Sequence, residues 1–190
     1  YGQLENANRQ LEQKVQERTL ELSQVNRRLE FLATHDSLTG LPNRLLLFDR
    51  LDQAVKMSRR SKAKFALLFI DLDDFKNVND SFGHAVGDQV LRAVGEALSG
   101  SMRLSDTVAR LAGDEFAMIL YDVRNEDDVA IVARKIAAAL SQPVRVQDGS
   151  LTVTASIGAS LFPQHGTDPD ALFKKADQAM YTAKGRGKSQ

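Results

Sequence analysis

Acidic side chains cluster at two places in the sequence where they could bind a metal ion. One cluster begins at Asp71, directly after the apolar run Phe65–Ile70, and the other is the pair Asp114-Glu115. Carboxylates massed at the end of a buried strand repel one another, so they need caps, cations or raised pKa values. If Asp71 and Asp114 meet from adjacent strands, they form an oxygen-rich pocket suited to Mg²⁺. Plain surface acids are the alternative.

Within the first cluster, Asp73 and Asp74 have a simpler interpretation. An aspartate just before a helix is more often an N-cap than a metal ligand, because its carboxylate accepts from the free N–H groups of the first turn. We therefore predict that Asp73 is a helix N-cap.

The elements that must position these acids are predicted from periodicity and turn residues. Phe65–Ile70 is a short unbroken apolar run, which is typical of a strand buried on both faces. The short joint at 112–114 indicates a β-hairpin, with Gly113 free to adopt positive φ. Further helices are predicted at 43–58, 86–99, 125–140 and 170–184, and further strands at 107–111, 115–121, 144–146 and 151–161.

Helices interleaved with a largely antiparallel sheet predict an α+β layer fold of ferredoxin-like type, with a sheet of about five strands flanked by helices.

The N-terminal residues carry a heptad pattern. Apolar residues recur at alternating steps of four and three over 4–32, with Asn8 and Arg18 filling the two gaps. In this register Asn8 falls at position a, where a buried asparagine favours a parallel two-stranded coil. We therefore predict a coiled-coil dimerisation helix over 1–34. A single amphipathic helix lying on its own domain is the alternative.

The composition excludes several classes of protein. The chain has 190 residues, of which 43% are apolar, enough for a core without cross-links. The absence of cysteine excludes disulfides, zinc–thiolate sites and thiol nucleophiles, and three scattered histidines suggest no metal cluster. Lys and Arg (25) balance Asp and Glu (25), which argues against a nucleic-acid polymer or a lipid surface as partner.

The segment 35–44 contains glycine and proline and separates the coil from a second predicted domain over 35–190. No apolar run approaches the roughly 20 residues of a membrane helix. The sequence begins in the middle of a helical pattern, so we expect a portion of a longer protein with an upstream sensory domain. We expect a cytoplasmic location, although the full-length protein could be attached to a membrane upstream.

Five motifs occur in order along the chain, and together they resemble the GGDEF family of diguanylate cyclases. The resemblance covers nearly everything after residue 35, and although each motif is weak alone, five in order are strong. The motifs are Asp36-x-Leu38-Thr39-Gly40-Leu41-Pro42-Asn43-Arg44, the segment Asp71–Asp88, Ala112-Gly113-Asp114-Glu115-Phe116, Ser156-Ile157-Gly158 and the segment Ala176–Lys184.

The resemblance implies a palm-like domain that holds one GTP per protomer. By this resemblance two protomers would face each other, and each ribose 3′-hydroxyl would attack the α-phosphate of the opposite GTP, which would form cyclic di-GMP and expel pyrophosphate. Mg²⁺ or Mn²⁺ would activate the nucleophile and shield the developing charge. Since positioning does much of the catalysis, the coiled coil would control the rate by holding the homodimer together.

The resemblance also implies roles for individual residues. The metal ligands would be Asp71, the backbone carbonyl of Leu72 and Asp114, with Glu115 sharing in metal binding or proton removal. A second group would contact substrate, chiefly the β- and γ-phosphates, helped by the positive end of the helix that begins there. This group comprises Asp74, Phe75, Lys76, Gly113, Lys184 and Lys188. Without the motif, Lys76 would be taken for a solvated helix lysine.

The resemblance assigns Asn79 and Asp88 to the base. Guanine presents two adjacent donors that one carboxylate can accept together, whereas adenine presents an acceptor at that edge. Asp88 therefore favours GTP over ATP. An N-cap role beside Gly87 is the alternative for Asp88.

A second site is implied by Arg103-Leu104-Ser105-Asp106, which has the spacing of the family's inhibitory RxxD motif. Arg103 and Asp106 would bind cyclic di-GMP and cause product inhibition, and Arg134 would make a secondary contact from the partner domain. As a bare pattern, RxxD is usually a surface ion pair.

Two residues depart from the family pattern. Ala112 replaces the first glycine, and if that residue needs positive φ, alanine costs about 1–2 kcal/mol, or roughly tenfold in rate. In an extended conformation it adds only a methyl group. Lys188 stands where arginine is usual, which predicts weaker GTP binding because a point charge replaces a bidentate contact.

Two other functions compete with the cyclase hypothesis. A catalytically inactive receptor would bind cyclic di-GMP or GTP and signal through the coil, but both hairpin acids are present here, and inactive members often lose them. A bare coiled-coil interaction module leaves the clustered acids unexplained.

Overall fold

The structure, a computed structural model, describes residues 2–146 and 149–185. The helices in these ranges are α1 (Gly2–Thr34), α2 (Arg44–Ser61), α3 (Phe75–Phe82), α4 (His84–Gly100), α5 (Glu126–Leu140) and α6 (Pro169–Gly185). The strands are β1 (Phe65–Leu72), β2 (Thr107–Ala112), β3 (Glu115–Tyr121), β4 (Val144–Val146), β5 (Gly149–Leu151) and β6 (Ala155–Phe162). None of the helices in the described ranges has the length and apolarity that crossing a membrane requires.

The long N-terminal helix is present as predicted, and α1 runs unbroken for 33 residues. The apolar seam residues from Leu11 to Leu32 are exposed to solvent, from 46% at Leu32 to 62% at Leu22. An isolated helix with such a stripe gains nothing from its apolar side chains until a partner covers them. The homodimeric coil and the boundary between the two predicted domains stay predictions.

One asparagine joins α1 to α2. The amide of Asn43 donates to the Ala33 carbonyl at 2.9 Å, while its side-chain oxygen accepts from the Leu46 N–H at 3.1 Å. The same side chain therefore satisfies a free carbonyl at the end of α1 and a free N–H at the start of α2.

The main sheet is antiparallel along β1, with the strand order β2-β3-β1-β6. All eight residues of β1 are buried. Alternate side chains enter two cores: Ala66 and Leu68 pack on the side of α4 and α5, whereas Phe65 and Leu67 pack on the side of α2 and α6. Burial on both faces explains why β1 is an unbroken apolar run.

The predicted α+β class is confirmed, with one difference in the strands. The predicted strand at 151–161 is divided into β5 and β6, and β5 pairs with β4 in a separate two-stranded ribbon. In the part of the chain that the structure describes, the main sheet has four strands, where about five were predicted. Val153 lies between the two strands and is buried in the core, so the apolar alternation continues across the break and periodicity could not reveal it.

Candidate active site

The pairing of β1 with β3 brings the two acidic clusters to one edge of the sheet. Asp71 lies opposite Glu115 in the register. The Leu72 N–H donates to the Asp114 carbonyl at 3.2 Å. Residues from positions 71–72 and 114–115 are therefore direct neighbours on adjacent strands.

The hairpin turn needs glycine at one position. Gly113 has φ +51°, in the left-handed region that β-carbon-bearing residues disfavour. Ala112 is exposed at the end of β2 and is not among the described residues with positive φ. The alanine at the first position of the motif therefore adds a methyl group without backbone strain, and the rate cost expected from such strain does not apply.

The carboxylate of Asp71 is buried and forms an ion pair with Lys184. Lys184 Nζ lies 2.5 Å from Asp71 Oδ1, and the two side chains are 33% and 11% exposed. This oxygen is buried, and because a carboxylate oxygen has two lone pairs it can accept a further partner beside the ammonium. Burial raises the pKa of the Asp71 carboxyl, the contact with Lys184 opposes that shift, and the charge of Asp114 adds to it.

The ion pair with Asp71 also stabilises the charged form of Lys184. Burial alone lowers the pKa of Lys184, but its contact with Asp71 and the nearby charges of Asp114 and Asp73 outweigh burial and raise it. The ammonium is thus well stabilised by the acids, whereas the buried carboxylate is only partly compensated by the ammonium. A second cation at this edge would complete the compensation.

Close packing of α6 on β6 sets the position of Lys184. A β-carbon on Gly158 would lie 2.1 Å from the Met180 backbone nitrogen and 2.2 Å from the Ala176 carbonyl oxygen. Only glycine permits this approach, which places the last turn of α6 beside the acidic edge.

Glu115 is the second acid with a perturbed proton affinity. Burial raises its pKa, and the negative charges of Asp71, Asp114 and Asp177 add to the effect, while Arg44 opposes it. The Arg44 guanidinium lies over the Phe48 and Phe173 rings, 5.4 and 5.0 Å from their centroids. Neither Arg44 nor Asp177 was predicted to have a role, although Arg44 ends the first family motif and Asp177 lies in the last.

The segment after β1 corrects one prediction. The N-cap position of α3 is Asp74, with φ +54°, and not Asp73. The Asp73 carboxylate instead accepts hydrogen bonds at 2.7 Å from the hydroxyl groups of Thr154 and Ser156. Asp73 lies between the end of β1 at Leu72 and the N-cap Asp74, so it is too early in the chain to cap α3. Its side chain instead links the end of β1 to β6 and to the residue before it. The prediction that Asp73 is the helix N-cap was wrong.

The remaining predicted phosphate contacts lie around the start of α3. Phe75 is buried and Lys76 is exposed in the first turn. Lys188 lies outside the described residues.

The two residues predicted to contact the base lie at one α3–α4 contact. Asn79 Oδ1 would be 2.0 Å from a β-carbon on Gly87, so its side chain packs directly on the residue before Asp88. The N-cap of α4 is Gly83. Asp88 lies inside the helix, half-buried, so the alternative of Asp88 as an N-cap is wrong.

The RxxD residues line a cavity of about 420 Å³ between the 101–106 segment, the end of β3 and α5. The two oxygens of Asp106 accept from the backbone N–H groups of Arg103 and Tyr121, both at 3.1 Å. Arg103 is exposed at the rim. Arg134 is exposed on α5 and is not among the residues that line this cavity, whereas Lys135 is.

The donor set at the acidic edge fits a hard divalent cation. The described residues include no group of three or more His, Cys, Asp and Glu side chains arranged to hold a metal. Mg²⁺ does not require such a cage, because it binds through one or two carboxylates together with water and substrate phosphates. Asp71 and Asp114 are the two carboxylates that could fill this role, and the buried Asp71 Oδ1 has a lone pair for a further partner.

The chain belongs to the GGDEF family: residues 33–190 match the family model described as diguanylate cyclase, GGDEF domain. It is 45% identical over 168 residues to the bifunctional diguanylate cyclase/cyclic di-GMP phosphodiesterase MucR of Pseudomonas aeruginosa, covering 88% of this chain and 24% of MucR. It is 44% identical over 164 residues to the diguanylate cyclase TpbB of the same species, covering 86% of this chain and 38% of TpbB. The chain thus spans well under half of either relative.

A solved structure with a coiled coil before its GGDEF domain resembles nearly the whole chain. It is the coiled coil and GGDEF domain of DgcB from Caulobacter crescentus in complex with c-di-GMP. The match has a TM-score of 0.81 and 28% sequence identity, and it covers 95% of this chain and 97% of that one.

Proposed function

We propose that this chain is an active diguanylate cyclase domain, which condenses two GTP molecules into cyclic di-GMP and releases pyrophosphate. The observation that carries the proposal is the meeting of Asp71 with Glu115 across β1 and β3, with Asp114 bonded to the next residue of β1. Relatives named as diguanylate cyclases support it, although MucR is named for both cyclase and phosphodiesterase activity.

Asp71, the Leu72 carbonyl and Asp114 would hold Mg²⁺ or Mn²⁺. Such an ion supplies neutralisation of the triphosphate and acidification of the attacking 3′-hydroxyl. Glu115 shares the site, and its raised pKa makes it a stronger base than an ordinary glutamate for the hydroxyl proton.

Lys184 would change partners when the nucleotide binds. Its ammonium now pairs with Asp71, and triphosphate oxygens offer it a more concentrated negative charge. The other phosphate contacts would come from the backbone at Asp74 and Phe75, from Lys76, from the Gly113 turn and from Lys188.

Asn79 and Asp88 would select guanine, and the packing of Asn79 on Gly87, the residue before Asp88, supports this assignment. Arg103 and Asp106 would bind the product and inhibit the enzyme, with Arg134 contacting the partner domain. We assign 1–34 to a homodimeric coil that brings two 35–190 domains face to face, in a longer cytoplasmic protein with a sensory domain. We expect neither a nucleic-acid polymer nor a membrane as a partner of this portion.

The test is incubation of the dimer with GTP and Mg²⁺, followed by chromatography of nucleotides and a pyrophosphate assay. The proposal expects one cyclic di-GMP for every two pyrophosphates. Binding of cyclic di-GMP or GTP without turnover would instead support the catalytically inactive receptor. Absence of nucleotide binding would support the third hypothesis, a coiled-coil interaction module.

A further inference from the structure

One arginine joins the linker turn at the start of the domain to the turn of the acidic hairpin. Arg110 Nε and Nη2 donate to the Gly113 carbonyl at 3.0 and 2.7 Å. Its Nη1 donates to both carboxylate oxygens of Asp36, at 3.0 and 3.1 Å, across 74 positions of sequence. The Arg110 and Asp36 side chains are only 12% and 22% exposed.

The Asp36 end of this contact is itself fixed. The backbone N–H and the hydroxyl of Thr39 both donate to Asp36 Oδ1, at 2.9 and 2.7 Å. The Asp36 N–H donates to the Leu41 carbonyl at 2.7 Å, which closes the turn. The Arg110 N–H donates to the Pro42 carbonyl at 2.9 Å, so the turn is also docked on β2. The linker turn 36–42 is therefore hydrogen-bonded to β2, and Asn43, the residue after it, is hydrogen-bonded to the end of α1.

The hydrogen bonds from Arg110 to the Gly113 carbonyl position Asp114 through the planar peptide group that joins the two residues. The carbonyl of Gly113 and the N–H of Asp114 belong to one peptide plane, so fixing the oxygen fixes the direction in which Asp114 leaves the turn. Glycine has more backbone freedom than other residues, and Gly113 adopts φ +51°. The two hydrogen bonds from the Arg110 guanidinium to its carbonyl restrict that freedom. Without that restraint the turn would be free to reorient.

We propose that Arg110 is a positioning residue, which holds the Gly113–Asp114 peptide in place and thereby couples the linker turn at Asp36 to the hairpin acids. The consequence for catalysis rests on the proposed cyclase function, whereas the coupling itself does not. A displacement of the linker by α1 would reach Asp114 and Glu115 through one side chain. This gives the first motif of the chain a physical role that substrate contacts do not supply.

The test uses two conservative variants and a matched control. Arg110→Lys keeps the charge, but a single ammonium cannot span both Asp36 and Gly113. Asp36→Asn keeps the shape and removes the charge at the far end. Arg59→Lys is the control, because Arg59 also donates to a distant carbonyl, that of Thr167 at 2.7 Å, away from the acidic edge.

The first readout is hydrogen exchange at the Leu72 amide, whose acceptor is the Asp114 carbonyl. We expect Asp36→Asn and Arg110→Lys to speed exchange there by about tenfold or more, with Arg59→Lys unchanged. Exchange in the centre of β1 serves as the internal standard for global stability. Unchanged exchange at Leu72 in both variants would overturn the coupling, whether or not the chain is an enzyme.

The second readout is steady-state kinetics with GTP. We expect Arg110→Lys to lower kcat by about tenfold to a hundredfold, because small misplacements of reacting groups have effects of that size, with KM within about twofold of the wild type. The double variant should be no slower than Arg110→Lys alone. Wild-type kcat in Arg110→Lys would overturn the positioning role. A wild-type protein that forms no product would defeat the proposed function, and the exchange experiment would still decide the coupling.

Discussion

Replacing Lys184 by glutamine tests the electrostatics of the acidic edge. The substitution removes the ammonium from Asp71, a carboxylate that is 11% exposed beside a lysine that is 33% exposed. Exposed pairs contribute about 0–1 kcal/mol, and breaking fully buried ones costs about 3–5 kcal/mol. For this partly buried pair we expect a loss of about 1–2 kcal/mol, which lowers the melting temperature by about 3–6 °C.

The pH dependence of this loss has a defined sign. The pKa of Asp71 is raised in the folded chain, so its ionisation opposes folding, and that cost is absent below the ordinary value of 3.8 and grows as pH rises through the folded value. The Lys184 pKa is raised from 10.5, so its favourable contribution is present at neutral pH and lost only at higher pH. The variant should therefore melt below the wild type near pH 7, and the difference should shrink in acid.

The assay is thermal unfolding in chelator and in Mg²⁺ across this pH range. The control is Lys175→Gln, an exposed lysine on the same helix. Mg²⁺ should raise the melting temperature of Lys184→Gln more than that of the wild type, because the ion takes the position of the ammonium beside Asp71. Equal melting of variant and wild type at pH 7, or a difference that persists unchanged in acid, would refute the reasoning.

Three further predictions concern activity. Asp114→Asn should lower pyrophosphate release by at least about a hundredfold while thermal unfolding shows an intact fold, because it removes a charge aimed at the transition state; substantial remaining turnover would mean that the metal is misplaced. Arg103→Ala should relieve product inhibition, so that progress curves stay linear and the yield rises; an unchanged curve would reduce the motif to surface charge. Deletion of residues 1–32 should make specific activity depend steeply on protein concentration, and insensitivity to dilution would show that the coil is not the dimeriser.

The fold was largely predictable because each main element has a strong local signal. β1 is an unbroken apolar run since both of its faces are buried, and the hairpin is marked by Gly113, which the turn holds at positive φ. The break between β5 and β6 was not predictable, because Val153 is buried there and keeps the apolar alternation of a single strand. Periodicity reports burial and not hydrogen-bond pairing.

The meeting of the two acidic clusters at one sheet edge was predictable from the strand and hairpin signals, whereas the contacts of single side chains were not. Asp73 looked like a helix cap, but its partners Thr154 and Ser156 lie 81 and 83 positions away. The bridge from Asp36 to Arg110 is equally long-range. Sequence spacing carries no information on such contacts, because they depend on which strands become neighbours.

The most direct test of the central claim is a titration of Mn²⁺ by electron paramagnetic resonance, in the presence of a non-hydrolysable GTP analogue. Asp71 and Asp114 should share the ion beneath the triphosphate, so Asp71→Asn and Asp114→Asn should each weaken nucleotide-dependent Mn²⁺ binding by at least about tenfold. Wild-type Mn²⁺ affinity in both variants would contradict the account.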